Sequence, residues 1–296
     1  PSKHEIVGKP VPRLDIPGKI FGAPMYVQDM RLPGMAFGRI VRPPGPRARL
    51  ESVDTASVQR MPGVVAVVRD GSFLGVTATR EEQAIAASEA LRQSAKWAEA
   101  ADLPESGKIH AWLKAQPSEA QVINAKSDAT AAPVARRIEA TYTKRYVAHA
   151  SIGPSCAVAE LKGGMLHVWS HSQGVYPLRN DLAGVMKMDP KSVVVSHVEG
   201  SGCYGHNGAD DVALDAALLA RAVPGRPVKV QWMRGDEFAW EPFGSAMVMD
   251  MRAGLAADGR IVQWGHELWS NGHSTRPGRP GSSNLLASWY LAEQFR

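Results

Sequence analysis

Four glycines, Gly200, Gly202, Gly205 and Gly208, fall within nine residues between a short β-branched run and a helical one, a placement that constrains fold and chemistry together. The run Ser192-Val193-Val194-Val195-Ser196-His197-Val198 predicts a strand. After the glycines, Val212, Ala213, Ala216, Leu219 and Ala220 recur at helical spacing and predict an amphipathic helix. Glycines carry no Cβ, so backbone N–H groups can come close to a ligand, and the helix start adds partial positive charge. Such a unit suits a phosphate or a polar cofactor; it also serves simply to turn a strand into a helix. Neither the G-x-x-x-x-G-K-[ST] phosphate loop nor a dinucleotide-binding unit is expected here. Asp210 and Asp211 would repel a phosphate, or as first-turn residues complement the helix dipole.

At 296 residues with 44% hydrophobic content, the chain can build two ordinary cores. No run approaches the ~18 apolar residues of a membrane span, and residues 1–4 do not open an export signal. A first residue that is proline, and an end at Arg296 directly after an aromatic-rich run, suggest a piece of a longer protein. The net charge of +5 comes from 34 basic and 29 acidic side chains that are interspersed, and no nucleic-acid reader motif accompanies them. Arg39, Arg42, Arg47 and Arg49 are expected to be a solvated loop around Pro43-Pro44-Gly45-Pro46, or a docking surface. Two cysteines, Cys156 and Cys203, cannot supply the usual four thiolates of an iron–sulfur cluster or a four-cysteine zinc site. Cys156, set among alanines and valine, is expected to be a buried inert thiol, and Cys203 to face a ligand. His149, His171, His197 and His206 match no zinc spacing.

Along the chain, Pro10, Pro12 and Pro17 predict an extended lead-in without helix. Strands are expected at 35–41, 64–68 and 73–79, and a short helix at 52–61. Thr79-Arg80-Glu81-Glu82 reads as a capping box opening a helix that carries Ala84, Ile85, Ala87, Leu91 and Ala95 on one face and closes at Trp97. A polar stretch at 106–121 precedes a small-residue linker at 124–136, which divides the chain into 1–123 and 137–296. In the second part an alternating strand at 137–142 is followed by a hairpin across Lys162-Gly163-Gly164 and a helix at 178–188. Strands at 228–233, 246–253 and 261–268 come after the glycine loop, the last two joined by an Asp258-Gly259 turn. The tail after Asn271 has no readable core pattern.

Three groups of residues resemble one family, the molybdopterin-binding large subunits of the molybdenum hydroxylases (xanthine dehydrogenase and aldehyde oxidase), of the isoquinoline 1-oxidoreductase and nicotinate dehydrogenase type. Ser201-Gly202-Cys203-Tyr204-Gly205 stands where the family reads close to Gly-Gly-Phe-Gly-Gly, and Cys203 is similar to the nicotinate dehydrogenase branch. Ser170-His171-Ser172-Gln173-Gly174-Val175-Tyr176 resembles the segment whose glutamine lies beside the molybdenum oxo ligand. Gly8-Lys9-Pro10-Val11-Pro12-Arg13-Leu14-Asp15, Leu32-Pro33-Gly34-Met35, Arg42-Pro43-Pro44 and Met61-Pro62-Gly63-Val64 resemble the α/β hammerhead domain of the same subunits.

The resemblance implies an α+β fold: a lead-in and α/β hammerhead domain over 1–123, then part of a molybdopterin-binding α/β domain over 137–296. It implies molybdopterin, as the cytosine dinucleotide, with molybdenum, held by Gly200, Ser201, Gly202, Cys203, Tyr204, Gly205 and His206, with no direct metal ligand from the chain. Gln173 would lie near the oxo ligand, where an NH₂ can donate without adding charge, and Arg234 would face substrate. Gly153 departs from relatives that carry glutamate there. The family's general base is a glutamate in a downstream Gly-Glu motif that no residue here matches, so the chain alone is expected to be inactive. Implied partners are a small [2Fe–2S] subunit, a cytochrome c and a small N-heteroaromatic or aldehyde substrate, on the periplasmic side or, alternatively, in the cytoplasm. The other expectation from the residues is a noncatalytic docking module whose glycine loop is structural.

Overall fold

The computed structural model describes residues 3–98, 103–127, 131–272 and 284–293. Its first half contains β1 (Ala36–Ile40), β2 (Arg49–Ser52), β3 (Val64–Asp70), β4 (Phe73–Ala78) and β5 (Lys96–Ala98), with helices α1 (Ile16–Ile20), α2 (Thr55–Gln59), α3 (Glu81–Ser94) and α4 (Ile109–Ala115). The second half contains β6 (Arg136–Lys144), β7 (Cys156–Lys162), β8 (Met165–Ser170), β9 (Val193–His197), β10 (Val228–Gln231), β11 (Met247–Leu255) and β12 (Ile261–Ser270). Helices α5 (Val175–Met186), α6 (Ala209–Ala222) and α7 (Arg234–Trp240) lie among these strands.

Seven strands form one mixed sheet in the order β3-β4-β1-β10-β7-β8-β9. Strands from both halves share it, because β1 pairs in parallel with β10, Ala36 opposite Val228. The β7–β8 hairpin turns at Gly163 and Gly164 as its sequence predicts, and β9 adds in parallel to β8 at the edge. A separate sheet, β12-β11-β6, receives Trp112 and Leu113 of α4 against Ala246, Val248 and Trp269. The polar stretch preceding the linker thus contains a helix, and that helix packs on strands of the second half.

Helix α6 crosses the large sheet, packing on β7, β8 and β10, and every residue from Ala209 to Ala220 is buried. It is not amphipathic as expected: Leu214, Ala217 and Leu218, off the predicted stripe, are covered as well. Leu285, Ala287, Tyr290 and Leu291, from a tail without a readable pattern, belong to the same core, and Leu286–Trp289 forms a 3₁₀ turn against α6. Close approach of α6 to the sheet requires Gly38, where a Cβ would fall 2.6 Å from Leu219 Cδ1 and 2.8 Å from Val230 Cγ2.

Several local expectations give way to contacts made at a distance. Pro17 lies in the first turn of α1, where a missing N–H costs nothing, so the lead-in does contain a helix. The capping box does not form: Arg80 is the N-cap, and Thr79 Oγ1 donates to Gln83 Oε1 at 2.8 Å. Ile85 points outward, and Trp97 sits in β5 opposite Leu50 of β2 instead of closing the helix. Arg39 and Arg42 are buried rather than solvated, because Glu81 (Arg39 Nη2–Oε1 2.6 Å) and Asp215 meet them.

Leu219→Ala is expected to lower unfolding free energy by roughly 2–5 kcal/mol, and Gly38→Val by roughly 1–3 kcal/mol through overpacking. Urea denaturation of the folded chain followed by circular dichroism measures both; a wild-type midpoint in either variant would show that α6 does not press on the sheet here.

Candidate functional site

The glycine loop leaves β9 at the sheet edge and enters α6 at Ala209, with its start and its flank fixed by other segments. Val27 N donates to Glu199 O at 2.8 Å, and Gly153 N donates to Ser201 O at 3.0 Å. Asn207 Nδ2 donates to Ser151 Oγ at 3.0 Å, while its own Oδ1 accepts from Ala209 N, the first residue of α6, at 3.2 Å. Within the loop Gly202 N is turned inward, to Gly200 O at 2.9 Å. Among the described residues, the amides of Ser201, Cys203, Tyr204 and Gly205 donate to no protein acceptor, and Ser201 Oγ is buried without a partner. Cys203 and Tyr204 are exposed, so these donors are open to water or to a ligand's acceptors.

Gln173, between β8 and α5, reaches the loop from the side: its Nε2 donates to Cys203 Sγ at 2.8 Å. The Cys203 thiol in turn contacts Gly205 O at 3.6 Å. Two residues singled out from separate motifs are therefore neighbours, and Cys203 is exposed while Cys156 is buried. Burial pushes the Cys156 thiol up to about 12, consistent with an inert core residue.

Gly205 has φ of +147°, and a Cβ there would fall 1.9 Å from His149 Cδ2. Gly202 has φ of +116°, with the Tyr204 hydroxyl 3.0 Å from the place of its missing Cβ. Gly200, Gly202 and Gly205 do stand at the spacing G-x-G-x-x-G, so topology and not spacing argues against a dinucleotide loop. In a dinucleotide unit the helix joins neighbouring parallel strands; here β9 and β10 run the same way but β7 and β8 lie between them.

Arg234 does not stand free. Its Nη1 donates to Ser151 O at 2.7 Å, its Nη2 to Ile152 O, and its guanidinium lies 5.4 Å from the Phe238 ring centroid. It braces residues 151 and 152, next to Gly153, whose missing Cβ would fall 1.7 Å from Ser201 Oγ. Glu237 and Glu241 of the same helical region hold Ser155 and the Ala150 amide, and burial raises the Glu237 carboxyl above its ordinary range. Asn207 and Ser151 lie one and two residues from His206 and Gly153, whereas Glu237 and Glu241 lie three and seven from Arg234, and only the folded chain brings these supports to the loop.

The acidic pair at the helix start is used internally. Asp211 Oδ1 accepts from Leu286 N at 2.7 Å, and Asp210 Oδ2 lies 3.3 Å from His206 Nε2. Burial pushes the Asp211 carboxyl up to about 8 and the His171 imidazole down to about 4. His171 Nε2 accepts from Cys156 N at 3.3 Å, which the neutral ring allows. No group of His, Cys, Asp and Glu among the described residues could hold a metal ion. Hollows of about 600 Å³, beside Arg137, Arg252 and Trp264, and about 470 Å³, beside Trp112, Arg145 and Tyr146, are lined by no loop residue. Spare donors, not enclosure, identify the loop.

Residues 114–287 match the family described as "Molybdopterin cofactor-binding domain", and residues 21–92 match "Aldehyde oxidase and xanthine dehydrogenase, a/b hammerhead domain". The chain is similar to a nicotinate dehydrogenase subunit of Pseudomonas putida, 42% identical over 88% of this chain and 23% of that protein. It is also similar to the aldehyde oxidoreductase molybdenum-binding subunit PaoC of Escherichia coli, 29% identical over 90% of this chain and 40% of that one. The fold matches quinoline 2-oxidoreductase from Pseudomonas putida 86 with a TM-score of 0.70 at 18% identity, covering 88% of this chain and 39% of that one. Aldehyde oxidoreductase from Desulfovibrio desulfuricans matches with a TM-score of 0.74 at 16% identity, over 89% of this chain and 34% of that one. The chain thus spans well under half the length of these relatives.

Asp211 generates a pH prediction. Its folded pKa lies above the unfolded value, so the native state binds the extra proton, and stability is expected to fall as pH rises from the ordinary carboxylate range toward about 8. His171, with a depressed pKa, acts oppositely, but only below its ordinary pKa of about 6.5. Denaturant midpoints between about pH 6.5 and 8 should fall more steeply in the wild type than in Asp211→Asn, where the raised Asp215 and Glu237 carboxyls remain; parallel slopes in the two would remove Asp211 as the cause.

Proposed function

Since the chain belongs to the aldehyde oxidase and xanthine dehydrogenase family, through its hammerhead and molybdopterin cofactor-binding domains, we propose that its glycine loop holds one side of a molybdopterin in a hydroxylase subunit. The complete subunit oxidises an aldehyde or hydroxylates an N-heteroaromatic ring with oxygen from water. The names of the nicotinate, quinoline and aldehyde relatives support that substrate range. The carrying observation is that Gln173 Nε2 meets Cys203 Sγ at 2.8 Å beside four unpartnered amides, at Ser201, Cys203, Tyr204 and Gly205. A dithiolene pterin carries ring carbonyls and phosphate oxygens, which are acceptors for such donors.

When bound, the pterin-held metal supplies the redox chemistry that no side chain here can supply. The chain's own part is orientation. Residues Gly200, Ser201, Gly202, Cys203, Tyr204, Gly205 and His206 form the cradle, and Gln173 presents an uncharged NH₂ toward the reacting side. Arg234 acts on the substrate side by fixing residues 151–153. Cys156 and Cys203 cannot hold a cluster within this stretch, and electron transfer is assigned to a small [2Fe–2S] subunit, with a cytochrome c beyond it. We take the cofactor as the cytosine dinucleotide and the complex as periplasmic, the cytoplasm being the alternative. No helix among the described residues is long and apolar enough to cross a membrane.

Expression of the full-length subunit with its partner subunits, followed by metal and pterin analysis, tests the proposal. About one molybdenum per large subunit is expected, with iron confined to the partner. Gly202→Val should lower molybdenum and pterin content roughly tenfold or more with unchanged circular dichroism. Full loading of that variant removes the loop from the site, and a metal-free, pterin-free wild-type assembly supports a docking module instead.

A further inference from the structure

His149 lies against the loop with one ring nitrogen committed. Its Nδ1 is 3.0 Å from Pro242 O. A carbonyl oxygen only accepts, so Nδ1 carries the proton, and in the neutral ring Nε2 keeps a lone pair. That lone pair has no protein donor among the described residues, and Nε2 is absent from the buried unpartnered atoms. The Nε2 edge is where a side chain at Gly205 would be: a Cβ there would fall 2.3 Å from Nε2. Gly205 thus gives the loop access to an acceptor that any other residue would cover.

The ring's position is over-determined. Val147 and Gly244 exchange backbone hydrogen bonds of 3.1 and 2.9 Å. Ala150 is held at φ +49°, left-handed for a residue with a Cβ, while its amide donates to Glu241 Oε1 at 2.9 Å. Residues 147–150 are therefore strapped to 241–244 on both sides of the imidazole. The loop itself offers donors at Ser201, Cys203, Tyr204 and Gly205, and His149 Nε2 is an acceptor facing the same turn.

We infer that His149 is a ligand-positioning residue of the glycine loop, its Nε2 accepting a hydrogen bond from a ring N–H or amino group of the heteroaromatic cofactor that the loop amides hold. The inference rests on residues 200–206 being a cofactor loop. Donors on the main chain and an acceptor on the ring together select a heterocycle whose edge alternates C=O and N–H, and discriminate against a bare phosphate, which at neutral pH offers almost only acceptors.

The test uses the full-length subunit, co-expressed with its partner subunits, in wild-type form and as His149→Phe, His149→Gln and Gly202→Val. Pterin per chain is read by fluorescence of the oxidised, released cofactor, and folding by the melting temperature. Phenylalanine keeps the ring's bulk without an acceptor, whereas glutamine places an amide oxygen near the Nε2 position. Pterin content roughly tenfold lower in His149→Phe, restored toward wild type in His149→Gln at similar melting temperatures, supports the inference. Wild-type content in His149→Phe, with loss in Gly202→Val, overturns the role of His149 and leaves the loop standing. Loss in both His149 variants shows a packing role and overturns it likewise. A wild-type protein devoid of pterin overturns the cofactor loop itself, and the inference with it.

Discussion

Arg42, just beyond β1, reaches the carboxylate of Asp215 in the middle of α6, and Trp232 Nε1 donates to the same oxygen at 2.8 Å. The guanidinium carbon lies 4.9 Å from the Trp232 ring centroid, so the cation is covered by the indole that shares its anion. All three groups are buried. A charge withdrawn from water is tolerated only when paired and hydrogen-bonded, and losing one member of such a pair leaves the other stranded at a cost of about 3–5 kcal/mol. The three residues come from segments far apart in the chain, so this polar contact ties α6 to β1 and β10, beside the smaller ones that Ser170 Oγ makes to Ala209 O and Leu286 N to Asp211. From there the constraint passes to the loop: a Cβ at Gly208 would fall 2.4 Å from Trp232 Cζ3, so the last glycine rests directly on that ring.

This arrangement also resolves an electrostatic conflict. Carboxylates at a helix start favour the dipole but oppose an anion held by the same loop. Asp211 avoids the conflict by burial, which holds it protonated near neutrality while it accepts from Leu286 N. Asp215 is matched by Arg42, and Asp210 turns toward His206. Asp211 is neutralised and Asp215 paired behind the loop, and the amides of residues 203–205 remain the face it presents.

Elements with a strong local period were legible in the sequence. The β7–β8 hairpin, the β11–β12 turn at Gly259, the helices α5 and α6, and the strands flanking them follow from alternation, glycine placement and helical spacing. What escaped depends on partners remote in sequence. Nothing near Arg39 or Arg42 indicates that Glu81 and Asp215 will bury them, and nothing in residues 284–291 indicates that α6 will cover Leu285 and Leu291. Trp97 looks like the end of a helix until Leu50 is seen opposite it. The site divides in the same way. Gln173 and Cys203 could be named from motif resemblance, whereas the tautomer of His149 depends on a carbonyl 93 positions away.

The large sheet makes the loop a joint product of both halves of the chain. Parallel pairing of β1 with β10 brings the turn at Val27–Asp29 against residues 154 and 199. Val27 N holds Glu199 O, Gln28 Nε2 donates to Pro154 O at 3.0 Å, and Gln28 O accepts from the buried Lys229 Nζ at 2.7 Å. One short 3₁₀ turn from the hammerhead segment therefore clamps the entry of the glycine loop, the turn at Gly153 and a strand of the central sheet. A displacement of that turn would move the loop start and the 151–153 segment together, since both hang on adjacent residues. The hammerhead segment thus supports the flanks of the candidate loop, whose alignment depends on the sheet that joins the two halves.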